Sequence, residues 1–155
     1  MGGGFAAVDP DFATRVHDSF SRQAAMRLIG ARLARLEPGL AEIELSYRED
    51  LTQQHGFFHG GITSMIADSA GGYAAYSLFP AGSSILTVEY KINLLAPADG
   101  ERLVATGRVI KPGRTLTVCA LDVAAIKDGK ATPCAHGLQT LMCLHGRSDD
   151  IAQSA

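Results

Sequence analysis

The chain has 155 residues, enough for one domain that buries a real core without covalent staples. Its formal net charge of −2 gives no electrostatic reason to expect nucleic acid or an anionic membrane surface as a partner. No apolar run approaches the roughly 20 residues of a membrane span, and the start of the chain lacks the basic region and apolar stretch of a secretory signal. Residues 1–8 read as a disordered end. Asp9-Pro10 then opens a helix with Asp9 as its N-cap. Phe12, Val16, Phe20, Ala24 and Leu28 mark one helical face, and Gly30 ends it. Two short strands are predicted at 31–37 and 41–47, split by the turn Pro38-Gly39. Residues 48–58 read as a polar loop.

A second helix is predicted from Gly60 to about Phe79. Apart from Ile62, Met65, Ile66, Tyr73 and Tyr76 it is largely Ala, Gly and Ser. Each glycine costs such a helix about 1 kcal/mol relative to alanine, so it needs tertiary packing to persist. Its smooth surface predicts close approach of other backbone, as when a sheet wraps around it. Four strands follow at 84–95, 103–110, 115–126 and 131–144, with turns at 97–100, 111–114 and 127–130. In the first of these, Leu86, Val88, Tyr90, Ile92 and Leu94 alternate with Thr87, Glu89, Lys91 and Asn93, which places Thr87 on the polar face. The order predicts an α+β architecture: a curled antiparallel sheet around one central helix, with an extra N-terminal helix. The domain spans 9–145, and 146–155 reads as a flexible tail. Cys119, Cys134 and Cys143 each sit in an apolar run and form no C-x-x-C pair, which fits buried thiols in a reducing, cytoplasmic compartment.

The chemistry is concentrated between Gln53 and Asp68. Gly60-Gly61 at a helix start exposes backbone N–H groups, which with the positive end of the helix dipole suit a developing negative charge. Asp68 falls inside that helix among apolar and small residues, where a carboxylate is costly unless paired, hydrogen-bonded or beside water. No counter-charge stands near it in sequence. Eight residues separate it from Gly60, roughly 12 Å along one helix. Water activated at Asp68 could hardly reach a carbonyl held at Gly60 of the same helix, so a shared reaction predicts a site built from two subunits. His55 and His59 are spaced like a metal pair, but Gly56 lies between them and no third ligand is evident.

The pattern Gln53-x-x-Gly56-x-x-His59-Gly60-Gly61 with Asp68 resembles the phenylacetate-degradation (PaaI-like) branch of the hot-dog-fold thioesterases. So do Thr87-Val88-Glu89-Tyr90, Leu95-Ala96-Pro97-Ala98 with Gly100, and Pro112-Gly113-Arg114-Thr115; the match runs from about 28 to 144. The resemblance implies hydrolysis of an acyl-CoA thioester without a metal or other cofactor, by a dimer joined edge to edge and paired into a homotetramer. Gly60 N–H would polarise the thioester carbonyl. Asp68 of the other subunit would be general base or nucleophile. Gln53 would place the nucleophile or thioester, Thr87 would hold the attacking water, and His59 would fix the loop. Gly61, Phe58, Met65 and Arg114 are further candidates for substrate binding, Arg114 at the CoA phosphates. Relatives that carry a hydroxyl one turn after the acid have Gly72 as their counterpart here. Phe57, Phe58, Met65 and Tyr73 suggest a medium-length or aromatic acyl group, carried by CoA or by an acyl-carrier protein. The alternatives are a hot-dog dehydratase or hydratase, whose differently spaced motif is not found, and a non-catalytic acyl-CoA-binding module.

Overall fold

The structure, a computed structural model, describes residues 4–149. Two short helices, α1 (Phe12–Arg22) and α2 (Ala24–Ile29), lead into strands β1 (Arg32–Glu37) and β2 (Leu40–Ser46). A 3-10 turn at Glu49–Leu51 precedes the long helix α3 (Gly60–Tyr76). Strands β3 (Ser83–Leu94), β4 (Arg102–Lys111), β5 (Leu116–Lys127) and β6 (Lys130–His145) follow. All six strands make one antiparallel sheet in the order β1-β2-β4-β5-β6-β3. The sheet curls around α3, and Ile66, Ala70, Ala74 and Tyr76 of the helix are buried with Ile43, Leu45, Leu103, Leu121 and Leu141 of the strands. This is the hot-dog architecture.

The small residues of α3 are explained by that wrap. A Cβ at Gly107 of β4 would sit 2.3 Å from the Ala70 carbonyl, so helix and strand backbones are almost in contact. A Cβ at Gly71 would meet the Gln139 side chain at 1.9 Å and Leu121 at 2.5 Å. Larger residues at either position would push the sheet off the helix.

Three expectations change. The N-terminal helix is two helices, broken at Gln23, whose extended backbone (φ −69°, ψ 99°) resets the inward face. Met26 and Ile29 are buried after the break, while Leu28 is 76 % exposed. The N-cap is Asp11. Asp9 instead accepts from the Asp11 N–H at 2.9 Å and from Arg15 Nε at 2.8 Å. Arg15 then donates to the Phe79 carbonyl at 2.7 Å and lies over the Tyr76 ring, which ties α1 to the end of α3. In β3 the simple alternation fails. Thr87 pairs with Leu141 and Glu89 with Thr140, so a β-bulge adds one residue between them. Ile85 and Thr87 before the bulge, and Ile92 and Leu94 after it, therefore all point toward α3.

Both stretches read as loose ends make contacts. Phe5 lies over Gly39, and the Asp149 carboxylate meets Arg22 at 3.0 Å and Ser84 Oγ at 3.1 Å. Residues 1–3 and 150–155 lie outside the described residues.

Candidate active site

The loop before α3 is built to start that helix. Gln53 to Gly56 forms a turn closed by Gly56 N–H to the Gln53 carbonyl at 3.0 Å, with Gly56 at φ +81°. The Gln53 side-chain oxygen accepts from the His55 N–H. His59 is the N-cap, and its Nδ1 accepts from the Gly61 N–H at 2.8 Å. The Gly61 donor is thereby used. The Gly60 N–H meets no acceptor among the described residues. It lines a cleft of about 490 Å³ with Gln53, Phe57, Phe58, Leu94 and Pro97. A Cβ on Gly60 would meet Leu94 Cδ1 at 2.8 Å, so glycine keeps this helix start open beside β3. An unpaired N–H at a helix N-terminus in an apolar cleft is an oxyanion donor waiting for a partner.

Asp68 lies two turns further along α3 in a second cleft, of about 270 Å³, shared with Ser19, Gln23, Tyr73 and Thr87. Its Oδ1 accepts from Thr87 Oγ1 at 2.7 Å and from the Gln139 side-chain amide. The same Gln139 Nε2 lies 3.1 Å from the Asp68 carbonyl and 3.2 Å from Thr87 Oγ1. Oδ2 takes no hydrogen bond from the described residues. Burial pushes the Asp68 carboxyl above the usual carboxylate range, and the Thr87 hydrogen bond opposes that rise. A half-buried carboxylate with neutral donors on one oxygen and an open cleft at the other is suited to take a proton from water.

The nine candidate residues thus separate into groups. Asp68 and Thr87 share one cleft; Gly60, Gln53 and Phe58 share the other. His59 and Gly61 are joined to each other at the helix cap, outside both linings. Met65 packs against the core. Arg114 is exposed at the β4–β5 turn, away from both clefts, its carbonyl held by His145 Nε2 at 2.7 Å. Gln139 went unnoticed in the sequence. Its signal was available: 139, 141 and 143 share the inward face of β6, and a polar residue there needs a partner. Cys119, Cys134 and Cys143 are all buried free thiols. No three His, Cys, Asp or Glu among the described residues are grouped to hold a metal ion.

The thioesterase superfamily model matches residues 55–132, half of the chain. A putative esterase of Saccharolobus solfataricus is 32% identical over 127 residues, 82% of each chain. The chain belongs to the thioesterase superfamily. It is therefore an enzyme of the thioester-hydrolase class. Human acyl-coenzyme A thioesterase 13 is 31% identical over 94 residues, 60% of this chain and 66% of that one. A thioesterase family protein from Silicibacter pomeroyi superposes with a TM-score of 0.86 at 49% identity, covering 87% of this thioesterase and 99% of the other chain. The PaaI protein of the Escherichia coli phenylacetic acid degradation operon shares the fold, with a TM-score of 0.78 at 20% identity and 88% and 96% coverage.

Proposed function

We propose that this thioesterase hydrolyses acyl-CoA with a medium-length or aromatic acyl group, in a site that two subunits complete together. Gly60 N–H of one subunit polarises the thioester carbonyl. Asp68 of the other takes a proton from the attacking water, while Thr87 steadies that carboxylate and offers its remaining lone pair to the water. Attack gives a tetrahedral oxyanion at the Gly60 N–H, and its collapse expels the CoA thiolate. Gln53 borders the place where the thioester would lie. The reaction takes place in the cytoplasm, where the three free cysteines stay reduced.

The observation that carries this reading is the edge of the sheet. Among the described residues β3, twelve residues long, pairs with β6 on one side only. Leu86, Val88, Tyr90 and Leu94 on it are all exposed. A long, apolar, uncovered edge invites a second strand. The two clefts sit at opposite ends of this same strand, one at Thr87 and the other at Leu94. Along one chain those residues stand roughly 23 Å apart. A symmetric antiparallel pairing centred on Lys91, with the bulge at Val88 taking up the extra residue, sets Thr87 of one copy near Leu94 of the other. That brings the Asp68 cleft of each subunit beside the partner's Gly60. Two such dimers make the expected tetramer.

The test is free-thiol release from acetyl-, hexanoyl-, palmitoyl-, benzoyl- and phenylacetyl-CoA, with Asp68→Asn alongside. Turnover of hexanoyl- or of an aromatic acyl-CoA, falling about a hundredfold or more in the variant, supports the reading. No release from any of the five contradicts it.

A further inference from the structure

Gln139 is 1 % exposed in the middle of β6 and reaches across to α3. Its Nε2 meets three oxygens: Asp68 Oδ1, the Asp68 carbonyl and Thr87 Oγ1. A carbonyl and an ionised carboxylate only accept, so the end of the amide facing them is the NH2 group. The other end finds no partner among the described residues. Gln139 Oε1 is buried without a hydrogen bond, pressed over Gly71, where a Cβ would lie 1.9 Å from it. An orphaned buried acceptor destabilises a fold, and a methionine here would pack without one. The position thus retains a polar group at a cost to stability, and the group is aimed at Asp68.

The arrangement also orients Thr87. Its oxygen lies within reach of the Gln139 amide, and its single hydrogen goes to Asp68 Oδ1. Both donors fall on Oδ1, which leaves Oδ2 to the cleft. We infer that Gln139 is a positioning residue for hydrolysis: it anchors Asp68 and Thr87 through Oδ1, so that Oδ2 is the oxygen that works on water. This rests on the role proposed for Asp68.

The Thr87 donor opposes the effect of burial on the Asp68 carboxyl; a second donor from the Gln139 amide to the ionised form acts in the same direction, so its loss should raise the Asp68 pKa. The other groups around Asp68 are accounted for. Arg22 of α1 and Asp149 are paired with each other at 3.0 Å. Tyr73 of α3 and Cys119 of β5 are pushed by burial up to about 12 and stay neutral. Glu89 of β3 is engaged by Thr140 at 3.1 Å.

The experiment compares the wild type, Gln139→Met, Gln139→Glu and Asp68→Asn. Turnover of hexanoyl-CoA and phenylacetyl-CoA is followed against pH. The Asp68 carboxyl is titrated by carbon-13 NMR in the ligand-free protein and identified by its loss in Asp68→Asn. Gln139→Met is expected to lower kcat about tenfold to a hundredfold, the worth of a hydrogen bond to a charged group, with KM unchanged within about twofold. Its Asp68 pKa should rise, the acid limb of kcat/KM should move with it, and Tm should hold or rise. Gln139→Glu, nearly isosteric, carries the same test if methionine packs badly, and should raise the Asp68 pKa further through like charge. Wild-type kcat and an unmoved Asp68 titration in either folded variant, beside an inactive Asp68→Asn, overturn this inference alone. An active Asp68→Asn overturns the role of Asp68 itself, and this inference with it.

Discussion

The two clefts beside β3 differ in the group each offers to a substrate. The one at the start of α3 is walled by Phe57, Phe58, Leu94 and Pro97 and offers a backbone N–H. The one in the middle of α3 is walled by Ser19, Gln23, Thr87 and Tyr73 and offers a carboxylate. A backbone donor needs only a helix start and a glycine to expose it. A half-buried carboxylate needs more, because burial works against its charge. Among the described residues the hydrogen bonds to the Asp68 carboxylate come from neutral donors on two strands. Neutral donors keep the group basic where a bound guanidinium would lower its pKa and weaken it as a base.

Replacing the carboxylate gives the sharpest break between the two clefts. Asp68→Asn keeps the shape and an oxygen that can accept from both Thr87 and Gln139, yet should lower kcat about a hundredfold to ten-thousandfold. The same change should raise Tm. The folded-state pKa of Asp68 lies above its unfolded value, so the folded form favours the proton. The stability this group contributes is present below the unfolded pKa and is lost as pH rises through the folded one. At neutral pH Asp68 thus destabilises the fold, and asparagine removes that burden. A thermal melt at pH 7 in which Asp68→Asn is less stable than the wild type would contradict this. In the wild type, kcat/KM should fall on the acid side at a pKa above the ordinary 3.8 of an aspartate; a pH–rate profile flat down to pH 4 would rule that out.

The apolar cleft is broken at the Gly60 N–H. Gly60 is the first residue of α3, a position that tolerates proline, and His59 before it has the extended backbone proline demands (φ −63°, ψ 138°). Gly60→Pro should keep the helix by circular dichroism and lower kcat about a hundredfold to a thousandfold, as loss of an oxyanion donor does, while Gly60→Ala, which brings the same Cβ against Leu94 but keeps the N–H, should lose far less. Helix loss in parallel with activity would leave the N–H without a special part. A smaller effect separates the carboxylate from its support. Thr87→Val should cost about tenfold in kcat, and Thr87→Ser should recover most of it. Equal loss in both would point to packing instead of the hydroxyl.

The contrast between the clefts also governed what could be read from the sequence. The helix start was legible because Gln53, His59, Gly60 and Gly61 are neighbours and their roles are local. The strand order and the smooth central helix were legible for a similar reason, since periodicity and Gly-Ala-Ser content are local signals. The cradle of Asp68 was not. Its donors lie 19 and 71 residues away in the chain, and the pairing exists only once the sheet has curled. The alternating pattern puts Thr87 on the polar face, because such a pattern does not show a one-residue bulge. The break at Gln23 escaped because the apolar spacing runs on through it, although Leu28 ends up in solvent. Arg114 followed from resemblance alone, and the fold leaves it at an exposed turn.

The central claim is that neither cleft is a site by itself. Asp68→Asn and Gly60→Pro chains, each inactive alone, can be co-expressed with different tags and the mixed dimers measured on the best acyl-CoA. If each site takes Gly60 from one subunit and Asp68 from the other, a mixed dimer has one intact site, and a random mixture regains about a quarter of wild-type activity. If both groups act within one chain, every site carries a lesion and the mixture stays as inactive as its parts.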